Sequence, residues 1–103
     1  MTDHEPSNQI TIKQIEPLPH SVYEVTITGN KGSRSTHTVS LDQSYYELLT
    51  GGSVMPDELI RHSFLFLLER ESKDEILPEF QLPVIATYFP EFESAVQAHL
   101  HHI

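Results

Sequence analysis

A chain of 103 residues without a single cysteine is one domain's worth of polypeptide, long enough to bury a core without disulfide staples. Six Lys plus Arg against fifteen Asp plus Glu leave a net charge of −9. That balance opposes nucleic-acid phosphates and anionic lipid, and favours basic partners, cations or plain solubility.

The lack of thiols excludes a cysteine nucleophile and fits a reducing cytoplasm. Zinc would have to bind through His and carboxylates alone. No apolar run approaches the roughly 20 residues of a membrane span. The opening MTDHEPSNQ is acidic and polar where a secretion signal is basic and then apolar. These features describe a soluble, cytoplasmic protein.

In chain order, residues 1–8 read as a disordered lead-in, polar and with little to bury. In QITIKQI, Ile10 and Ile12 alternate with Thr11 and Lys13, the period of a strand. Pro17 and Pro19 end it, because proline cannot donate to a ladder. VYEVTIT alternates more clearly, with Tyr23, Val25 and Ile27 on one face and Glu24, Thr26 and Thr28 on the other. The cluster Gly29-Asn30-Lys31-Gly32 is a turn. STHTVSL then places His37, Val39 and Leu41 together. Two alternating runs around a Gly/Asn turn predict a β-hairpin.

Asp42 stands where an N-cap belongs, before a short helix from Gln43 to about Thr50 with Tyr45, Leu48 and Leu49 on its apolar edge. Gly51-Gly52 stops that helix. The dominant helical stretch is PDELIRHSFLFLLERE, Pro56 to Glu71. Its proline costs no hydrogen bond at a first helical position, and Asp57 and Glu58 sit at the positive end of the dipole. Leu59, Ile60, Ser63, Phe64, Phe66 and Leu67 share one broad face. Leu65 breaks the pattern, set among Glu58, Arg61, His62 and Glu69. Ser72 with Glu75 forms a capping box. Gln81-Leu82-Pro83 restarts a short helix carrying Val84, Ile85, Tyr88 and Phe89, and Pro90 opens a last one carrying Phe92, Ala95, Val96, His99, Leu100 and Ile103.

The plan is therefore α+β: a three-stranded antiparallel β-meander, order 1-2-3, followed by three to four short helices packed on one face. Residues 9–103 form the single domain. The expected core holds Ile12, Tyr23, Val25, Ile27, Val39, Leu41, Leu48, Leu59, Ile60, Phe64, Leu67, Ile85, Phe89 and Val96.

Groups with chemical potential are few. His37, Ser40 and Asp42 suggest a hydrolase, but His37 and Ser40 are an odd number apart on a strand and point to opposite faces. No G-x-S-x-G elbow is present. His99 and His102, three apart on a helix, are a weak candidate metal pair that lacks a third ligand. Lys31 and Arg34 bracket the only dense basic spot. No catalytic residue and no cofactor are assigned. The candidates for protein contact are Leu65, His62, Tyr46, Phe80, Lys31 and Arg34.

Two resemblances follow from particular stretches. THTVSL, DQSYYELL and PDELIRHSFLFLLER, within Arg34 to Ser72, resemble the strand-helix-helix pattern of ribbon-helix-helix repressors and antitoxins. That resemblance implies strands from two chains pairing in the major groove, with Thr36, Thr38 and Ser40 facing the bases. The strand VYEVTIT, ready to pair within the same chain, and the net charge both set this reading second. ELIRHSFLFLLERES to ATYFPEFE is similar to small bacterial proteins of the conserved-hypothetical kind, which implies a small standalone bacterial protein and no established activity. The function expected first is thus a non-enzymatic protein-interaction or regulatory module, with a homodimer as one outcome. A small enzyme with an unrecognised site is the remaining alternative.

Overall fold

The computed structural model describes residues 9–100. The expected lead-in at residues 1–8, the candidate ligand His102 and Ile103 of the expected last helix lie outside them. Strands β1 (Gln9–Glu16), β2 (His20–Thr28) and β3 (Arg34–Asp42) form the antiparallel meander that the alternation predicts. Tyr23, Val25 and Ile27 of β2, with His37, Val39 and Leu41 of β3, point into the core. Burying each large apolar side chain here contributes about 1.5–3 kcal/mol. Two residues facing β2, Gln14 and Glu16, flank a bulge that leaves Ile15 without a partner and turned to solvent. The β2–β3 turn is a tight 3-10 turn, Asn30–Gly32, with Lys31 at φ 67°.

Helix α1 (Gln43–Thr50) ends as expected, with Gly51 in the left-handed region and its N–H donating to the Glu47 carbonyl. Asp42 occupies the N-cap position but makes no capping bond. Register places His20 opposite Asp42, and the His20 Nδ1–H donates to that carboxylate at 3.0 Å instead. Helix α2 (Pro56–Leu68) buries Leu59, Ile60, Ser63, Phe64, Phe66 and Leu67, the face read from its spacing. Phe64 lies at its centre, fully buried between His37 and Phe80.

The sheet has four strands, not three. After the capping box, in which the Ser72 N–H donates to Glu75 at 2.8 Å, the chain returns to the sheet as β4 (Glu79–Gln81). β4 runs parallel to β3, with Val39 opposite Phe80. The stretch around Gln81, expected to restart a helix, is this strand. The pairing is anchored beyond both ends, by the Thr38 N–H to the Pro78 carbonyl and the Leu82 N–H to the Ser40 carbonyl, at 2.8 and 2.9 Å. Phe80, expected to be exposed for contact, consequently turns inward, 8% exposed; it joins the core and lines a pocket beneath the strand. α3 (Val84–Tyr88) and α4 (Phe92–Leu100) complete the layer of helices.

The core differs from expectation at three other positions. Leu48 is 64% exposed and its neighbour Leu49 fills the place. Ile12 and Phe89 are only partly buried. Strand β3 has a partner on each side within this chain, β2 and β4. The strand that a ribbon-helix-helix arrangement pairs across two molecules is thus interior to the sheet.

Candidate functional site

Most polar side chains inside the fold are occupied with holding it together. His37, on the apolar face of β3, is 2% exposed. Its Nδ1 lies 2.7 Å from the Leu77 carbonyl, which can only accept, so Nδ1 carries the proton. In the neutral ring Nε2 then accepts from the Ser35 hydroxyl at 2.8 Å. His37 therefore ties β3 to the segment leading into β4. Ser21 donates to the Leu41 carbonyl, Ser63 to the Leu59 carbonyl, and Thr50 to the Tyr46 carbonyl. The Tyr45 phenol donates to Glu93 at 2.7 Å; burial first, and that carboxylate second, push its proton affinity far above the ordinary range. Tyr46, expected as a contact residue, is half-buried and donates to the Val54 carbonyl.

Three concave surfaces stand out among the described residues, the third a cleft of about 400 Å³ lined by Ser40, Asp42, Tyr45, Leu48 and Gln81. The first lies between α2, α4 and β1 and encloses about 390 Å³. Its floor is Ile10, Leu65, Leu68 and Ala95, with His62 and His99 at one side. Leu65, in the middle of a helix that otherwise buries its apolar residues, is 45% exposed. The His62 and His99 rings stand 4.5 Å apart. Burial, and then the neighbouring His99, hold His62 below the usual imidazole range; Glu58, 3.7 Å away, acts in the other direction. At the far end Arg70 lies over the Phe66 ring, 3.7 Å from its centre, and bonds to Glu91 at 3.1 Å. Arg61 donates to the Ile10 carbonyl of β1 at 3.2 Å.

The second surface is a smaller pocket of about 220 Å³ below the β4 end of the sheet. Leu67, Ile76, Phe80 and Ile85 form its apolar interior, and Glu71, Glu75 and Tyr88 stand at its walls. The Glu71 carboxyl is pushed above the usual range by burial and then by Glu75. Leu77 and Tyr88 are exposed beside it.

Of the residues singled out from the sequence, His62 and Leu65 converge in the first surface, and His99 joins them. His99 meets His62 across two helices, a contact that spacing along α4 cannot reveal. Lys31 and Arg34 are exposed at the hairpin tip, away from both. Among the described residues no group of three or more His, Asp or Glu is placed to hold a metal ion. No described helix is long and apolar enough to cross a membrane. The second pocket escaped sequence reasoning because its carboxylates read as solvated surface and its floor depends on β4. No protein-family model, curated protein or solved structure matches the chain.

Proposed function

We propose that the protein is a non-enzymatic interaction module that self-associates through the face formed by α2, α4 and β1. The observation that carries this reading is Leu65, a half-exposed leucine at the centre of a concave patch in the principal helix.

The charges around that patch favour a second copy as occupant. A two-fold interface brings each residue of the patch against the same patch of the partner, so one surface must contain both signs. This face does: Glu58 and Glu69 stand beside Arg61 and Arg70, two of the six basic residues in a chain of net charge −9. Repulsion between two such chains is confined to a range of about 8 Å at physiological salt, so local pairing outweighs the long-range term. β1 adjoins the patch, and Arg61 ties its Ile10 carbonyl to α2, so the face is a continuous surface rather than an open strand edge. The dedication of His37, Tyr45, Ser21 and Ser63 to internal bonds supports a binding rather than a catalytic role.

Sedimentation or light scattering at high micromolar concentration tests this directly. A dimer is expected, and Leu65→Asp should convert it to a monomer with unchanged circular dichroism. A wild-type chain that stays monomeric removes the reading.

A further inference from the structure

We propose that the pocket under β4 receives a lysine or arginine side chain, presented by an extended partner segment that lies along the open edge of β4. This goes beyond self-association and uses a different surface.

Size sets the class of occupant. Pockets that enclose a drug-sized ligand or cofactor run to roughly 300–1,000 Å³. About 220 Å³ suits a single long side chain. The interior is apolar, from Leu67, Ile76, Phe80 and Ile85, and matches a chain of methylenes. The wall carries two carboxylates, Glu71 and Glu75, and the exposed ring of Tyr88. A cation whose stem lies on Phe80 reaches both kinds of group, carboxylate and aromatic face. Among the described residues no basic side chain pairs with Glu71 or Glu75. Burial and mutual repulsion raise the Glu71 proton affinity, so an arriving cation relieves an existing strain of charge. At low salt, where screening is weak, the overall charge of −9 also favours the approach of such a partner.

The backbone supplies the rest. Along a strand, successive residues direct their N–H and C=O groups to alternate sides. The Pro78 carbonyl and the Leu82 N–H face β3, so Phe80 faces β3 as well. Glu79 and Gln81 then direct their N–H and C=O groups outward, and no described strand meets them. A peptide adding there gains main-chain bonds to these two residues. Its side chain next to Phe80, on the helix side of the sheet, enters the pocket.

The test uses the full chain, isotope-labelled, and the blocked pentapeptide Thr-Val-Lys-Val-Thr at low salt. Controls replace its lysine by norleucine or by glutamate. The lysine peptide should shift the amides of Glu71, Glu79, Gln81 and Tyr88 and leave Leu65 and His99 unmoved. The norleucine and glutamate peptides should bind at least about tenfold more weakly, the scale of one lost charge-assisted contact. Glu71→Gln with Glu75→Gln should weaken the lysine peptide to a similar degree, and glutamine at position 75 retains the capping box. Equal binding of the lysine and norleucine peptides overturns the proposal, as do shifts confined to the α2–α4 face. n-Butylamine binding as tightly as the peptide overturns the polypeptide occupant. Because Leu65→Asp leaves this pocket intact, repeating the titration on that variant separates the outcome from that of self-association.

Discussion

The two edges of the sheet are finished in opposite ways. β1 is long, antiparallel and locally connected: eight residues, one turn away from its partner β2. It is guarded by a bulge at Ile15, by Lys13 along its length and by Arg61 reaching across to the Ile10 carbonyl. Those are the usual means of blunting an edge. β4 is three residues long, parallel to its neighbour and separated from it by two helices. Its protection is brevity and flanking prolines, Pro78 and Pro83. Beneath β1 the face of the sheet is partly covered; beneath β4 lies Phe80 and a pocket with carboxylates at its wall. Local pairing produces an edge that needs shielding, whereas long-range pairing produces one held in place by what lies under it.

Three perturbations sharpen that contrast. Phe64 lies under the interior of the sheet and reaches its β4 edge, touching His37 on β3 and Phe80 on β4. Phe64→Ala should cost about 3–5 kcal/mol. That is a large part of the about 5–15 kcal/mol that stabilises a domain, and urea denaturation should show the whole chain weakened together. Phe80→Ala, at the margin of the core, should cost about 3 kcal/mol, the low end of the range for a phenylalanine. Its effect should be uneven. Hydrogen exchange should accelerate at the amides of Thr38 and Leu82, which hold β4, and much less across the β1–β2 ladder. Equal acceleration at both edges would contradict the contrast.

The smallest effect belongs to the β1 side. The folded chain keeps His62 below the ordinary imidazole range, so around pH 6 the unfolded chain binds more protons than the folded one. Stability from this source is present above about pH 6.5, the unfolded imidazole value, and falls as pH drops toward the folded value. His62→Gln should flatten that part of the stability–pH curve, measured by urea midpoints between pH 5 and 8. A curve of unchanged slope would show that His62 is not the group responsible.

What the sequence made legible follows the same division. The hairpin and α2 were readable because each repeats its period enough times to be recognised. Alternation in VYEVTIT and the 3.6-residue stripe through Leu59, Phe64 and Leu67 assign inside and outside without knowledge of any partner. β4 was not readable. Three residues show no period, and Phe80 is drawn inward only because Val39 lies beside it in space. α1 failed in a smaller way. Over eight residues, the choice between Leu48 and Leu49 is a rotation of about 100°, set by the neighbours the helix meets. Asp42 read as a cap, but the partner that claims it, His20, arrives through strand register. At the candidate surface, Leu65 and His62 were visible as exceptions to an amphipathic pattern. Their meeting with His99 required the packing of α2 against α4.

Because β4 follows α1 and α2 in the chain, it leaves the ribosome well after the three strands it completes. Until it emerges, the far side of β3 is a bare template from Thr38 to Ser40. Nascent molecules crowded on one message would therefore meet each other through a surface that the finished protein hides. For the same reason, a chain cut short before Glu79 should be sought among insoluble material or in the grip of a chaperone.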